Sequence, residues 1–304
     1  MPRVFSVGDL NVDIFTHADA YPAVGEEQNT PQITYSIGGN AANFAVAASK
    51  LGMDVYLVSA IGNDVFTQFL LNELKSAHVK PLLKKSRGAN GISNIFVKKS
   101  GQRSIISCKG CLLELDAKNI GRVLLPKISK GDFVFFGGYF HLPPLHKGFS
   151  ELLSRLRKKG AKIFFDTAFD EYGKWEIKKF AKKIDVLFLN DKELGMVTKT
   201  KSLESGVQKL FSFGAKKIVV KRGSEGAAFF STSHSIKVPA QKVKAVNTTG
   251  AGDAFNAGYV FGEARGFLEE KCLRSGVFVA SRRIGQDVGI DVSRREVLGH
   301  LSEI

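Results

Sequence analysis

A chain of 304 residues that is 44% hydrophobic buries about three quarters of its unfolded surface on folding, so its core needs no staples. Its three cysteines, Cys108, Cys111 and Cys272, are odd in number and too few for a disulfide framework, which points to a reducing, cytoplasmic setting. The net charge of +15, from 44 basic against 29 acidic residues, suits phosphorylated small molecules, nucleic acid or an anionic membrane surface; but the lysines fall in short runs such as 155-RLRKK-159 that read as solvated helix faces, and no nucleic-acid-binding signature accompanies them.

The opening 1-MPRVFSVGDLNVDIF-15 has one early arginine but no long apolar run and no small-residue cleavage pattern, and no later segment approaches the roughly 18 apolar residues of a membrane span, so neither secretion nor membrane insertion is expected. Next, 31-PQITYSIG-38 alternates polar and apolar as a half-buried strand does. The runs 54-DVYLVSAIG-62, 132-DFVFFGG-138, 161-AKIFFD-166, 185-DVLFLN-190 and 216-KKIVVK-221 are nearly continuous and rich in Val, Ile and Phe, as strands buried on both faces are. Between them, 64-DVFTQFLLNELKSAHV-79 repeats Phe66, Phe69, Leu70 and Leu74 at helical spacing with Asp64 placed to cap, and 143-PPLHKGFSELLSRLRKKG-160 reads as one helix with a glycine stop. The stretch 91-GISNIFVKKSGQRSIIS-107 reads as two strands around Ser100-Gly101. This alternation predicts a single α/β unit over 1–304, with a mainly parallel sheet, helices on both faces and a small separate sheet.

In 247-NTTGAGDAFNAGYV-260 a helix is expected to begin near Gly250, with Thr248 and Thr249 supplying capping hydroxyls. The N–H groups of its first turn, unobstructed at Gly250, Ala251 and Gly252, form an anion cradle. Asp253 falls in the same turn, where the helix dipole favours its ionised form. A carboxylate beside an anion site repels the anion; its chemical use there is to take a proton from a hydroxyl attacking a phosphoryl group, and its plain use is to cap the helix. The chain lacks G-x-x-x-x-G-K-[ST], so a Walker-type loop does not hold the phosphates.

The segment NTTGAGDAFNAG resembles the C-terminal signature of the ribokinase-like (PfkB-type) carbohydrate kinases, and 37-IGGNAANFAVAASKLG-52 followed by Gly62 resembles their N-terminal one. The resemblance covers essentially the whole chain and implies a ribokinase-like fold, with a small β-sheet lid from segments near 12–37 and 91–109. It also implies an ATP- and Mg2+-dependent kinase acting on a hydroxyl of a small sugar or related polyol. Asp253 then matches the catalytic base, with Gly250, Ala251 and Gly252 stabilising the transferred phosphoryl. In 190-NDKE-193, Asn190 and Glu193 match residues that help hold magnesium and phosphates through water; by spacing alone they also form a capping box. In 221-KRGSEG-226, Lys221, Gly223 and Gly226 match the nucleotide-binding turn, and by themselves an ordinary hairpin turn. The stretch 276-GVFVASRRIGQ-286 is expected beside the adenine. Asn11 and Asp13 match residues that bind acceptor hydroxyls, and Gly38, Gly39 and Asn43 match the glycine pair and sugar-contacting asparagine.

This chain departs from the pattern in three places. Asn40 stands where many ribokinases have lysine, which weakens ribose as the acceptor. Asn247 stands where relatives have an aspartate that helps bind a monovalent cation, which leaves potassium activation open. The run 166-DTAFDEYGKW-175 lacks the arginine that many sugar-acid and fructose kinases carry after the matching aspartate. Arg87, Arg103 and Lys109 lie in or near the lid, where they face an anionic substrate or simply solvent. The nearest rival is a nucleoside kinase of the same fold, with Phe15, Tyr35, Phe96 and Tyr139 stacking on the base; a more distant one is a silent kinase-like nucleic-acid-binding protein. A homodimer through the lids is expected from the resemblance. Cys108 and Cys111 read as incidental thiols, and the six histidines show no metal spacing.

Overall fold

The computed structural model describes residues 1–304 except 19, 99–102, 171–172, 288 and 303–304. The large sheet is built from β1 (Arg3–Gly8), β4 (Asp54–Ile61), β5 (Lys80–Lys85), β8 (Phe133–Gly137), β9 (Lys162–Asp166), β10 (Val186–Asn190), β11 (Ile218–Lys221), β12 (Ala227–Phe230) and β13 (Ser235–Val238). Its nine strands lie in the order β13-β12-β11-β10-β9-β8-β1-β4-β5. All neighbours from β11 to β5 pair in parallel, and β12 and β13 close one side antiparallel. The five apolar runs expected as strands are β4, β8, β9, β10 and β11, whereas Lys80–Lys85, KPLLKK, carries no such signal in its sequence.

Successive residues of the central strands enter opposite cores. Val4, Phe133, Phe135 and Phe164 point to one side, and Phe5, Val134, Phe136 and Phe165 to the other, which is why these strands read as unbroken apolar runs. On the first side lie α1 (Asn40–Lys50), α2 (Thr67–Ser76), α8 (Ala251–Ala264), α9 (Glu269–Ile284) and α10 (Arg294–Ser302). The second side carries α3 (Ala117–Leu124), α4 (Pro143–His146), α5 (Phe149–Lys158), α6 (Asp191–Thr198) and α7 (Leu203–Ser212). The single helix expected over 143–160 is thus two helices. Gly148, at φ 84°, takes a left-handed conformation that an α-helix does not contain, and the chain turns there.

Helix α1 packs close to the sheet because its inner face is mostly alanine, with Phe44 stacked on Phe135 at 3.8 Å between ring centroids. Helices α8 and α9 cross closely as well. A Cβ on Gly258 would fall 2.6 Å from the Ser275 carbonyl oxygen, and one on Gly276 would fall 2.9 Å from the Phe255 ring.

A second, four-stranded sheet consists of β2 (Asn11–His17), β3 (Ile33–Gly38), β6 (Gly91–Val97) and β7 (Arg103–Cys108), in the order β3-β2-β6-β7. It contains the strands expected over 31–38 and 91–107, while the Ser100-Gly101 turn lies outside the described residues. Register places Asn11 opposite Gly91 and Asp13 opposite Ser93. Among the described residues no helix is long and apolar enough to cross a membrane.

Candidate active site

The carboxyl ends of the parallel strands open on a cleft of about 960 Å³, with the small sheet across it. At the end under the small sheet it is lined by Asn11, Asp13, Gly39 and Asn43, and at the far end by Asn190, Glu193, Lys221, Gly223 and Gly226. Gly250, Ala251, Gly252 and Asp253 lie between the two ends. Of the residues singled out from the sequence for acceptor, donor or base, Gly38 alone stands behind the lining. A Cβ there would fall 2.1 Å from the Asp13 carboxyl, so the glycine makes room for that side chain.

Asp13 reaches the cleft from β2. The Asn11 side-chain amide donates to its Oδ1 at 3.2 Å and to the Ser93 hydroxyl at 3.2 Å, and burial pushes the Asp13 carboxyl up to about 7. Asp9 directly follows β1, and its Oδ1 accepts from the Ala41 N–H at 3.0 Å, anchoring the start of α1. Burial works against the charge of Asp9, but a 3.5 Å contact with His141 Nδ1 and the backbone bonds outweigh it and hold its carboxyl below the usual range.

Gly250 precedes α8 as its cap residue at φ 74°, and no side chain caps that end. The hydroxyls of Thr248 and Thr249 do not cap it: both accept from Arg103 Nη1 across the cleft, at 3.1 and 2.8 Å. The Asn247 Oδ1 closes the turn in their place, accepting from the Thr249 N–H at 2.8 Å. The cradle is also narrower than the spacing suggests. Ala251 N–H makes a 3.3 Å turn bond to the Thr248 carbonyl, which leaves the N–H groups of Gly252 and Asp253 without an intrahelical acceptor.

Asp253 is held from α1. Asn40 Nδ2 donates to its Oδ1 at 3.1 Å and Asn43 Nδ2 to its Oδ2 at 3.3 Å, the two asparagines lying one turn apart on one face of the helix. Its carboxyl is nevertheless not kept in the ordinary acidic range, as the helix dipole alone suggests. Burial, and then the charge of Asp166, push it well above that range, because loss of water outweighs half a dipole charge. A carboxyl raised in this way approaches the pH at which a general base is effective.

At the far end Asp166, the last residue of β9, forms a buried ion pair with Lys221 and also accepts from the Asn256 amide. Burial opposes the charge on Lys221, yet Asp166 and Glu193 raise its affinity for the proton. Lys221 lies beneath the cradle: a Cβ on Gly252 would stand 3.3 Å from its Nζ. Asn190 and Glu193 form both halves of a capping box, each bond 2.9 Å, and Thr167 Oγ1 donates to the same Glu193 oxygen at 2.8 Å. Burial and then Asp166 raise the Glu193 carboxyl. Gly226, at φ 90°, shapes the turn after β11, and a Cβ there would fall 2.0 Å from the Val238 carbonyl oxygen. Val277, Ala280, Ser281 and Ile284 of α9 complete this wall, from the stretch expected beside the adenine.

Among the described residues no group of three or more His, Cys, Asp and Glu side chains is placed to hold a metal by protein ligands alone. Asp166 and Glu193, with Asn190, instead suit a hard cation that keeps most of its waters and shares phosphate oxygens.

Asp9, His141 and Asp166 line the cleft but are given no role from the sequence, although Asp166 opens the run 166-DTAFDEYGKW-175 that matches the resembled family and Asp9 adjoins the matched Asn11 and Asp13. The signal available was an aspartate ending an apolar run, in 4-VFSVGD-9 and 162-KIFFD-166. Of the three cations expected near the small sheet, Arg103 and Lys109 line the cleft and Arg87 does not. None of the four aromatic residues proposed to stack on a base lines it either. Phe15 is buried beside a smaller cavity, Tyr139 is buried among other rings, Tyr35 packs edge-on to Phe69 and Phe96 to Tyr21.

Known proteins share this architecture. The deoxyribokinase of Salmonella typhi is 27% identical over 256 residues, spanning 82% of this chain and 81% of that protein. The ATP-dependent ribose-1-phosphate kinase of Halopiger xanaduensis is 28% identical over 264 residues, spanning 86% and 84%. The crystal structure of ribokinase from Thermotoga maritima superposes with a TM-score of 0.87 at 25% identity, covering 99% of this chain and 100% of that one. Residues 1–292 match the pfkB family carbohydrate kinase pattern, and the chain therefore belongs to that family, whose members transfer a phosphoryl group to a hydroxyl acceptor.

Proposed function

We propose that the cleft binds ATP along Asn190, Lys221, Gly223, Gly226 and the α9 wall, and a small sugar or polyol under the small sheet at Asn11, Asp13, Gly39 and Asn43. The observation that carries this reading is the position of Asp253, clamped by Asn40 and Asn43 between the two ends and directly after unobstructed backbone donors. The Asp253 carboxylate takes the proton of the acceptor hydroxyl as that oxygen attacks the γ-phosphorus, and the bond to the bridging oxygen of ADP breaks on the opposite side. The N–H groups of Gly252 and Asp253 stabilise charge on the phosphoryl oxygens. Glu193, Asn190 and Asp166 would hold Mg2+ largely through water, and the ion would supply neutralisation of phosphate charge. The small sheet acts as a lid that excludes water from the transfer.

A sugar rather than a nucleoside is supported by the apolar lining from the small sheet, which is aliphatic, Ile95 and Ile105, with Leu112 beside it; the two phenylalanines of the cleft, Phe169 and Phe255, belong to the segments after β9 and in α8. The exposed side chains Ile33, Tyr35 and Ile106 of the small sheet are the surface through which two copies would pair, and a cytoplasmic location agrees with free thiols at Cys108, Cys111 and Cys272. The test is magnesium-dependent ATP turnover against a panel of sugars, polyols, sugar acids, sugar phosphates and nucleosides. Turnover stimulated by a sugar-type acceptor and lost in Asp253→Asn is expected. Stimulation by nucleosides only, or no stimulation by any acceptor, overturns the reading.

A further inference from the structure

Two arginines flank the turn that starts α8. From the small sheet, Arg103 Nη1 donates to the hydroxyls of Thr248 and Thr249 at 3.1 and 2.8 Å. From the last turn of α9, Arg283 is 6% exposed and donates to the carbonyls of Asn247 and Gln286 at 3.4 and 3.0 Å. Its Nε lies 3.6 Å from the point that a Cβ on Gly250 would occupy. Every one of these partners is a neutral oxygen, and among the described residues neither guanidinium forms an ion pair. Burial makes protonation of Arg283 harder and the charge of Arg103 adds to this, while the carboxylates of Asp287, Asp253 and Asp13 act the other way.

Next to this turn a cavity of about 170 Å³ adjoins the acceptor end and shares Asp13, Asn43, Thr249 and Gly250 with the main cleft; Arg283, Lys50 and Glu73 are on its wall, while Arg103 lines the main cleft on the other side of the turn. A neutral polyol needs none of this positive charge. An oxyanion placed between the guanidiniums would exchange bonds to neutral oxygens for charge-assisted ones about twice as strong, and would screen the arginines from each other. Of the two carboxyls lining this cavity, Asp13 and Glu73, the one shared with the main cleft, Asp13, is raised by burial to about 7 and so opposes an anion less than an ordinary aspartate does.

We propose, on the basis of the kinase reading above, that the acceptor itself carries an anionic group, a phosphate ester or a carboxylate, which seats between Arg103 and Arg283 beside the Thr248–Gly250 turn while Asp13 and Asn43 hold the hydroxyls. Arg103 and Arg283 are then the residues that select the substrate.

The experiment compares kcat/KM, with saturating MgATP, for the matched pairs fructose and fructose 6-phosphate, ribose and ribose 1-phosphate, and glucose and gluconate. It uses the full chain as wild type, Arg103→Met, Arg103→Lys and Arg283→Gln. Wild type is expected to favour the anionic member of at least one pair by about 10-fold or more, with the phosphate and carboxylate arms telling the two chemistries apart. Arg103→Met should lower the anionic-to-neutral ratio about 10- to 100-fold, Arg103→Lys should restore part of it, and Arg283→Gln, which keeps a donor for the carbonyls, should lower it selectively too. If wild type handles both members of every pair equally, the anionic site falls and the kinase reading stands. If Arg103→Met lowers both members by the same factor, Arg103 serves the donor phosphoryl and the proposal is overturned. No turnover with any acceptor overturns the kinase reading, and this one with it.

Discussion

Replacing Asp253 with asparagine separates what this side chain does for chemistry from what it does to stability. The introduced amide fills the same volume as the carboxyl and still offers an oxygen to the Asn40 amide, now 3.1 Å from Oδ1, and Asn43 turns its own amide to present oxygen to the new NH2 group. The backbone donors of the cradle stay in place, so the loss is that of the base: about 10²- to 10⁴-fold in kcat, or about 3 to 5 kcal/mol of transition-state stabilisation. Stability moves the other way. The native carboxyl titrates well above the roughly 3.9 of an unfolded aspartate, pushed first by burial and then by Asp166. Between those two values the native protein binds more protons than the unfolded chain, so wild-type stability falls as pH rises through that window. The variant lacks this penalty. Steady-state kinetics at pH 7 and melting curves from pH 4 to pH 8 measure both effects. The variant should melt above wild type at pH 8, and the difference should close as pH drops toward about 4. A variant retaining more than about a tenth of wild-type kcat, or melting below wild type at pH 8, refutes the reasoning.

Asp13 accepts acceptor hydroxyls with both oxygens only when ionised, and burial raises it to about 7, so kcat/KM for a neutral acceptor should rise as pH passes through about 7. Asp13→Asn should flatten that limb; a limb unchanged in the variant refutes the assignment. Asn40→Ala removes a hydrogen bond that lowers the Asp253 carboxyl, so the rising limb of kcat should move to higher pH, a shift readable in the pH profile even where the rate also falls. Phe44→Ala, at a fully buried ring stacked on Phe135, should cost about 3 to 5 kcal/mol in denaturant unfolding. Gly226→Ala places a Cβ 2.0 Å from the Val238 carbonyl oxygen at φ 90°, and should lower the melting temperature and raise the KM for ATP together.

The large sheet was legible because burial on both faces leaves nothing but apolar residues, as in β8, FVFFG, and β10, VLFLN. β5 was not, because one strand neighbour and a solvent edge allow KPLLKK, whose lysines and proline mask the strand. In the site, glycine spacing and Asp253 stood out since the chain must leave room there for a ligand. Asp9 and Asp166 did not: each is a single aspartate after an apolar run, and only the fold shows that parallel strands bring both to the same cleft. Thr248 and Thr249 show the limit from the other side. Their spacing suits capping, but a competing donor, Arg103, lies about 145 residues away and is brought near only by the small sheet crossing the cleft. Asp253 was misjudged in its charge for a similar reason, because burial is a property of the whole fold and the helix dipole a property of one turn.

The ends of the nine-stranded sheet give part of the +15 charge a purpose unrelated to any ligand. β5 ends it on one side with Lys85 and with Pro81, which has no N–H to offer, Lys80 and Lys84 being paired with Asp54 and Glu114, and β13 ends it on the other with exposed Lys237. Two copies meeting edge to edge would bring these lysines within one strand spacing, about 4.8 Å, where their repulsion keeps the ladders from joining. That protection depends on ionic strength. Raising salt from about 0.1 M to about 1 M shortens the screening length from about 10 Å to about 3 Å, less than the strand spacing. Concentrated preparations should therefore self-associate more at high salt than at low, the reverse of what a protein held together by surface ion pairs does, and light scattering across a salt series would show it.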